Sequence, residues 1–157
     1  MSLEKVMAYL KEKGYEERVR FFNVSSATVE LAAKALGCEP KLIAKTLAFK
    51  KGDDGALIIV TAGDTKINNG EFKRRFGFKP SMLTPEETLR HTGHKVGGVC
   101  PFALNEDLEV YLDESLKRFE TIYPAVGTAN SAIALSPDEL YALSNASGWV
   151  SVGKIIE

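Results

Sequence analysis

The stretch that decides the fold is IAKTLAFKKGDDGALIIVTA, residues 43–62, in which a turn separates two strand-like runs. Residues 43–50 and 56–62 are mainly apolar, and each has the length of an ordinary strand. The segment GDDG between them is typical of a tight turn, because glycine and aspartate readily adopt turn geometries. The pattern therefore predicts an antiparallel hairpin.

Lys45 holds an unusual position on the first strand of this hairpin. Side chains alternate between the two faces of a strand, so Lys45 shares its face with Leu47 and Phe49. Such a lysine either extends its amine to an edge of the sheet, or lines a pocket as a partly desolvated cation that binds an anion or a developing oxyanion. The pattern alone leaves both interpretations open.

The flanking segments predict a mixture of helices and strands. Apolar residues at helical spacing, and two Ser/Thr-Pro-x-Glu patterns typical of a capping box, predict helices over 3–13, 25–37 and 69–77, and after Thr84 and Ser136. Further strands are predicted over 19–24, 109–112, 119–126, 131–135 and 149–154. Because these elements do not follow a regular β-α-β order, they predict an α+β fold with a mixed, strongly curved sheet and helices packed outside it.

Composition limits the class of protein. The chain has 157 residues and a formal net charge of -1, which predicts one domain over residues 1–157. It contains no apolar run of ~18 residues, so no membrane span is expected. Cys38 and Cys100 form no disulfide framework, which favours the reducing cytoplasm. A near-neutral protein is expected to touch only a small part of any nucleic acid, because extensive phosphate binding usually needs a basic surface.

The loop HKVGGVCPF, residues 94–102, is a second candidate for function. Its adjacent glycines allow unusual backbone angles and close approach of a ligand, and successive exposed amides can bind an anion. A plain turn is the alternative. Cys100 and His94 can also be interpreted as a nucleophile and its base; the alternative is that Cys100 is a small, buried loop residue. His91, His94 and Cys100 lack a recognised metal-ligand spacing, so no metal is expected.

Four segments together closely resemble the YbaK/EbsC family: IAKTL, the strand ending in AGD, TGHKVGGVCPF and GTANSAIALSPDEL. This family includes freestanding prolyl-tRNA editing proteins and the insertion domain of bacterial prolyl-tRNA synthetases. The resemblance covers about residues 20–152. It implies a trans-acting aminoacyl-tRNA deacylase with a barrel-like sheet ringed by helices. It also implies a cytoplasmic protein whose partners are the acceptor end of aminoacyl-tRNA and prolyl-tRNA synthetase, with no cofactor, DNA or membrane.

The resemblance also implies candidate catalytic residues. The key lysine of the family corresponds to Lys45, with Thr46 beside it, and the GxxxP loop corresponds to Gly97–Pro101, with Gly98, Val99 and Cys100 between. The loop is expected to cradle the aminoacyl ester and the terminal ribose, and its amides to supply hydrogen-bond donors for the oxyanion. Lys45 is expected to hold the phosphate or ribose region, or to add positive charge near the carbonyl.

Substrate binding is assigned to a second group of residues: Phe22, Thr28, Asp64, His94, Gly127 and Ile133. Ala125 and Ala132 occupy positions where cysteine-removing members of the family carry serine and aspartate. This difference leaves alanine or another small amino acid as the expected substrate, attached to proline tRNA. The alternative is a non-catalytic module of the same fold, which either binds the tRNA acceptor end or acts as a regulatory module. The presence of both Lys45 and the complete GxxxP loop favours the enzyme.

Overall fold

The computed structural model describes residues 2–156, so Met1 and Glu157 lie outside the described part of the predicted domain. Its α-helices are α1 (Ser2–Glu12), α2 (Val29–Leu36), α3 (Asn69–Phe76), α4 (Pro85–Thr92) and α5 (Pro137–Leu143). Its strands are β1 (Val19–Phe21), β2 (Ile43–Lys51), β3 (Gly55–Ala62), β4 (Thr65–Ile67), β5 (Glu109–Asp113), β6 (Tyr123–Pro124), β7 (Ser131–Ile133), β8 (Gly148–Val150) and β9 (Gly153–Ile155).

The predicted hairpin is confirmed and forms the centre of the sheet. Strands β2 and β3 pair antiparallel, from Ala44 opposite Ala62 to Lys51 opposite Gly55. The turn between them contains Gly52 with a φ of +69°, a left-handed conformation that favours glycine. The five-stranded sheet has the order β6-β2-β3-β5-β8, and β2–β6, β3–β5 and β5–β8 are parallel pairs. The predicted α+β class with a mixed, strongly curved sheet is confirmed.

The hairpin separates two groups of buried side chains, because its residues alternate between the two faces of the sheet. Ala44 and Ala48 of β2 pack into the larger group, which also contains Cys100 and Ile133. Phe49 packs on the other face against Phe72 of α3. Both faces of the hairpin therefore contribute side chains to a buried core.

Both predicted capping boxes are confirmed. Thr84 and Ser136 each accept a hydrogen bond from the amide three residues on, and the glutamate at that position accepts one in return from the cap residue's amide. The helix predicted over 25–37 begins later, at Val29 with Thr28 as its cap. The delay has a tertiary cause, since the Ser26 amide donates to the carbonyl of the distant residue Ala129 at 2.6 Å.

Three predicted strands are shorter than expected, including the one predicted over 131–135, which covers only Ser131–Ile133. The strand predicted over 119–126 is limited to Tyr123–Pro124: before it, Ile122 forms an isolated bridge to Leu135, and it ends at a proline, which has no amide hydrogen. The strand predicted over 19–24 covers only Val19–Phe21, which pairs with β7. The predicted final strand is divided into β8 and β9, and β9 pairs with β4. Among the helices of residues 2–156, none is long and apolar enough to cross a membrane.

Candidate active site

One cavity of about 400 Å³ lies against the edge of β2. Residues from five segments of the chain form its wall: 26–32, 43–48, 82–88, 96–99 and 123–132. Most of the side chains that line it are apolar. The volume falls in the range of small-ligand sites in proteins, which are also mainly apolar with a few fixed polar groups. The cavity is therefore the candidate site for a small substrate group.

The cavity brings together five of the residues singled out in the sequence: Thr28, Lys45, Thr46, Gly97 and Val99. These residues come from three separate segments. The hairpin supplies the lysine and its neighbour, the start of α2 supplies Thr28, and the glycine loop closes the opposite side. Ala125 and Ala132, the two positions that differ from the cysteine-removing pattern, also line the wall.

Lys45 is half-buried and its amine donates a hydrogen bond to the main-chain carbonyl of Thr65. Burial lowers the pKa of this amine, while the negative charges of Glu30 and Asp64 partly oppose that shift. Among residues 2–156, no carboxylate forms an ion pair with it. The amine is thus a partly desolvated cation with a neutral partner, which suits attraction of an anionic group.

The edge of β2 is uncovered at Thr46. The Ala48 carbonyl accepts from the Leu83 amide at 3.0 Å and the Lys50 amide donates to Ser81 at 2.8 Å, so even-numbered residues of β2 direct their main-chain polar groups away from β3. Strand β6 covers this edge only at Ile43 and Ala44. Within the described chain, neither the amide nor the carbonyl of Thr46 has a main-chain partner.

Two hydroxyl groups in the cavity wall also lack partners. In residues 2–156, three buried side-chain polar atoms make no hydrogen bond, namely Ser26 Oγ, Thr46 Oγ1 and Thr61 Oγ1. Ser26 and Thr46 line the cavity. Leaving a buried hydroxyl without a partner costs about 1–3 kcal/mol, so such groups require an explanation. Polar atoms of a bound ligand would provide the missing partners. Ser26 was not identified from the sequence, where it looks like an ordinary residue at a helix start.

The two glycines of the loop have different structural roles. Gly97 has a φ of +100° in a turn that the Gly98 amide closes by donating to the Lys95 carbonyl at 3.0 Å. Gly98 lies against the main chain of Thr128, where an added Cβ would be only 2.7 Å from two backbone atoms. The Gly98 amide is therefore already hydrogen-bonded, so the expected series of free amides is interrupted. Gly97 and Val99 face the cavity on either side of it.

Cys100 and His94 are close together but are buried away from the cavity. The thiol lies 3.5 Å from His94 Nε2, and the same nitrogen lies 2.8 Å from the Phe102 carbonyl oxygen. Since a carbonyl can only accept, Nε2 carries a hydrogen and is not available as a base for the thiol. Burial raises the pKa of Cys100 to about 12 and lowers the pKa of His94. This geometry disfavours a cysteine nucleophile, which needs an exposed thiolate.

The other sequence candidates lie outside the cavity wall. Asp64 accepts two hydrogen bonds from Arg118, at 2.6 and 3.0 Å, and this pairing is the main cause of its lowered pKa. Ile133 is fully buried in β7. Pro101 is buried behind the loop, in the wall of a second, separate cavity of about 360 Å³.

The last two candidates hold neighbouring segments in place. Gly127 has a φ of +87°, and its carbonyl accepts a hydrogen bond from the Ser2 hydroxyl at 3.2 Å, which fixes the segment before β7 against α1. The Phe22 amide donates to the Asn130 carbonyl at 2.9 Å. Throughout residues 2–156, no group of three or more His, Cys, Asp or Glu residues is arranged to hold a metal ion.

Comparison with known proteins gives a consistent set of similarities. A family model described as the aminoacyl-tRNA editing domain matches residues 24–143. The chain is 49% identical to the uncharacterised protein YwhH of Bacillus subtilis, over 98% of both chains. It is 32% identical to the proline–tRNA ligase of Bacillus pumilus over 67% of this chain and 18% of the ligase. A crystal structure described as a candidate trans-editing enzyme for prolyl-tRNA synthetase is 32% identical, with a TM-score of 0.86 over 98% of this chain and 97% of the other.

Proposed function

Because the chain belongs to the aminoacyl-tRNA editing domain family, we propose that it is a trans-acting deacylase that hydrolyses the ester of a mischarged tRNA. One observation carries the proposal. A single cavity of about 400 Å³ contains Lys45, the glycine loop, an open sheet edge and two unpartnered hydroxyls. Its size suits an esterified amino acid with part of the terminal ribose, and its polar groups suit an ester better than a purely apolar ligand.

The reaction asks little of the protein, because an aminoacyl ester is already activated. A water molecule attacks the carbonyl carbon, the bond from that carbon to the ribose oxygen breaks, and the ribose oxygen takes a proton, which releases the amino acid and uncharged tRNA. The site must position this water and stabilise the oxyanion. Gly97 and Val99 place main chain beside the ester, Lys45 supplies positive charge, and a ribose hydroxyl of the substrate assists proton transfer.

The substrate is proposed to be a small amino acid on proline tRNA. The cavity wall includes small side chains at Ala44, Ala48, Ala125 and Ala132, which leave room for an amino acid but contribute few polar contacts to its side chain. Similarity to a candidate trans-editing enzyme for prolyl-tRNA synthetase supports proline tRNA. The protein would then contact the acceptor end of the tRNA, work beside prolyl-tRNA synthetase, and act in the cytoplasm where tRNA is charged.

Release of amino acid from proline tRNA charged with alanine, cysteine, serine or proline tests this proposal. Purified protein is expected to deacylate at least one wrongly charged species at least about tenfold faster than the correctly charged prolyl species, the scale of discrimination that pocket size provides. A single-turnover time course with excess protein measures each rate directly. No acceleration over the spontaneous rate for any of the wrong amino acids would contradict the deacylase. Binding without hydrolysis would favour the non-catalytic module.

The Cys100→Ser variant serves as a control in the same assay. Because Cys100 is buried and its thiol has a raised pKa, the variant is expected to keep the wild-type deacylation rate. Loss of activity in a variant that remains folded by circular dichroism would instead favour a cysteine hydrolase.

A further inference from the structure

We infer that the aminoacyl group of the substrate binds to the open edge of β2 as a single extended residue, paired with the main chain of Thr46. The ester carbonyl oxygen would accept from the Thr46 amide, and the α-ammonium group would donate to the Thr46 carbonyl. This inference rests on the proposed function and specifies how the substrate is held. It makes the sheet itself, and not only the glycine loop, part of the substrate site.

The register of the neighbouring segment supports this position. Met82 lies opposite Phe49 in an antiparallel bridge, and the Leu83 amide donates to the Ala48 carbonyl. In this register, the next residue of β2 able to hydrogen-bond to an antiparallel neighbour is Thr46. The covering segment turns away just before that point, because Thr84 caps α4 and Pro85 begins it. On the other side, β6 reaches only Ala44.

The chemical groups of an aminoacyl ester match this edge. Two directly opposed residues in an antiparallel pair exchange two hydrogen bonds, so each offers one donor and one acceptor on the same side. An esterified amino acid presents the same pair, with an ammonium donor and a carbonyl acceptor attached to one α-carbon. Extended peptides are bound at open sheet edges by this exchange. Here one residue fills the available length.

The surrounding side chains are consistent with a polar occupant at this position. The Thr46 and Ser26 hydroxyls both line the cavity and have no partner within residues 2–156. Lys45 leaves β2 on the opposite face to Thr46, and its amine is held at the Thr65 carbonyl. The strand therefore lies between the lysine side chain and the Thr46 side chain.

Replacing the Thr46 amide with an ester, by incorporation of the α-hydroxy analogue of threonine, tests the inference. The change removes the N–H donor of Thr46 and makes the preceding Lys45 carbonyl, which lies opposite Thr61 in the ladder with β3, a weaker acceptor. We expect kcat/KM for alanyl-tRNA to fall about 100-fold, the typical effect of losing one donor to a developing oxyanion. The denaturation midpoint should fall less than in a variant that loses a ladder N–H, because within residues 2–156 the Thr46 N–H has no main-chain partner and only the Lys45 carbonyl is weakened. A wild-type kcat/KM would overturn the inference.

The same replacement at Phe49 is the matched control. Phe49 lies opposite Leu57 and directs its N–H toward β3, so its loss removes a ladder hydrogen bond and lowers the denaturation midpoint. We expect kcat/KM to remain at the wild-type value, since Phe49 lies outside the cavity wall. An equal loss of kcat/KM in both proteins would indicate a general effect on β2 and overturn the role of Thr46.

A binding measurement separates this inference from the proposed function. The probe is the alanyl amide of 3′-amino-3′-deoxyadenosine, which carries the ammonium and carbonyl groups but resists hydrolysis. If the wild-type protein hydrolyses no mischarged tRNA, the proposed deacylase fails. Binding of the aminoacyl group at the edge of β2 would still be supported if the protein binds this probe more tightly than adenosine and loses that difference on Thr46 ester substitution. Equal binding of probe and adenosine, or no effect of the substitution, would overturn it.

Discussion

The Lys45→Met variant is expected to deacylate mischarged tRNA about 100-fold more slowly than the wild type under single-turnover conditions. The variant keeps the length of the side chain but removes its charge. In the wild type this charge is partly desolvated and, among residues 2–156, hydrogen-bonded only to a neutral carbonyl, so it acts strongly on an anionic group at the cavity. A rate equal to that of the wild type would remove Lys45 from the mechanism.

Stability measurements on the same variant distinguish a functional lysine from a structural one. Burial lowers the pKa of Lys45 in the folded state, so its charge opposes folding at all pH values below the folded pKa. This penalty fades as pH rises through the folded pKa toward the unfolded value. We therefore expect Lys45→Met to be as stable as the wild type or more stable at neutral pH. Lys50→Met, an exposed change on the same strand, is the control and should keep the wild-type rate.

The Gly98→Ala variant is expected to lose both stability and activity. The added Cβ would lie 2.7 Å from main-chain atoms of Thr128, which cannot move aside as a flexible side chain can. Overpacking of this kind costs about 1–3 kcal/mol. The relief of the clash must shift the loop that carries Gly97 and Val99, and a displacement near 1 Å at a reaction site costs about 100-fold in rate. Chemical denaturation and single-turnover deacylation measure the two effects.

Gly52→Ala is the matched control for the loop variant. Gly52 lies in the hairpin turn with a φ of +69°, and an added Cβ there meets no atom within 4 Å. The substitution is expected to cost about 1–2 kcal/mol through backbone strain alone, while deacylation remains unchanged. If Gly98→Ala loses stability but deacylates at the wild-type rate, the position of the loop does not determine catalysis.

Local sequence patterns predicted much of the fold because the forces involved are local. The turn at 52–55, the alternation along β2 and the two capping boxes each depend on residues that are near neighbours in the chain. The predicted ends of helices and strands were wrong where contacts between residues distant in the chain determine them. The start of α2 is delayed by a hydrogen bond to Ala129, and the strand predicted to continue to residue 126 ends at Pro124.

The site was predicted less completely, because it depends on how distant segments are paired. Lys45, Thr46 and the glycine loop were identified through a family resemblance, and the fold places them around one cavity. The uncovered edge at Thr46 depends on the register of the segment at Met82, which the composition of β2 does not reveal. The unpartnered Ser26 hydroxyl likewise depends on tertiary packing. Cys100 and His94 formed a plausible pair in sequence but are enclosed in the core.

The most direct test of the central claim is a nitrogen–proton correlation spectrum of the protein titrated with the alanyl amide of 3′-amino-3′-deoxyadenosine. If the cavity beside β2 holds the aminoacyl group, the largest shifts will occur at the amides of Thr46, Gly97 and Val99. Amides lining the second cavity, including Leu104 and Asn105, will remain unchanged. Shifts confined to the second cavity, or no saturable shift at Thr46, would contradict the site proposed for this protein.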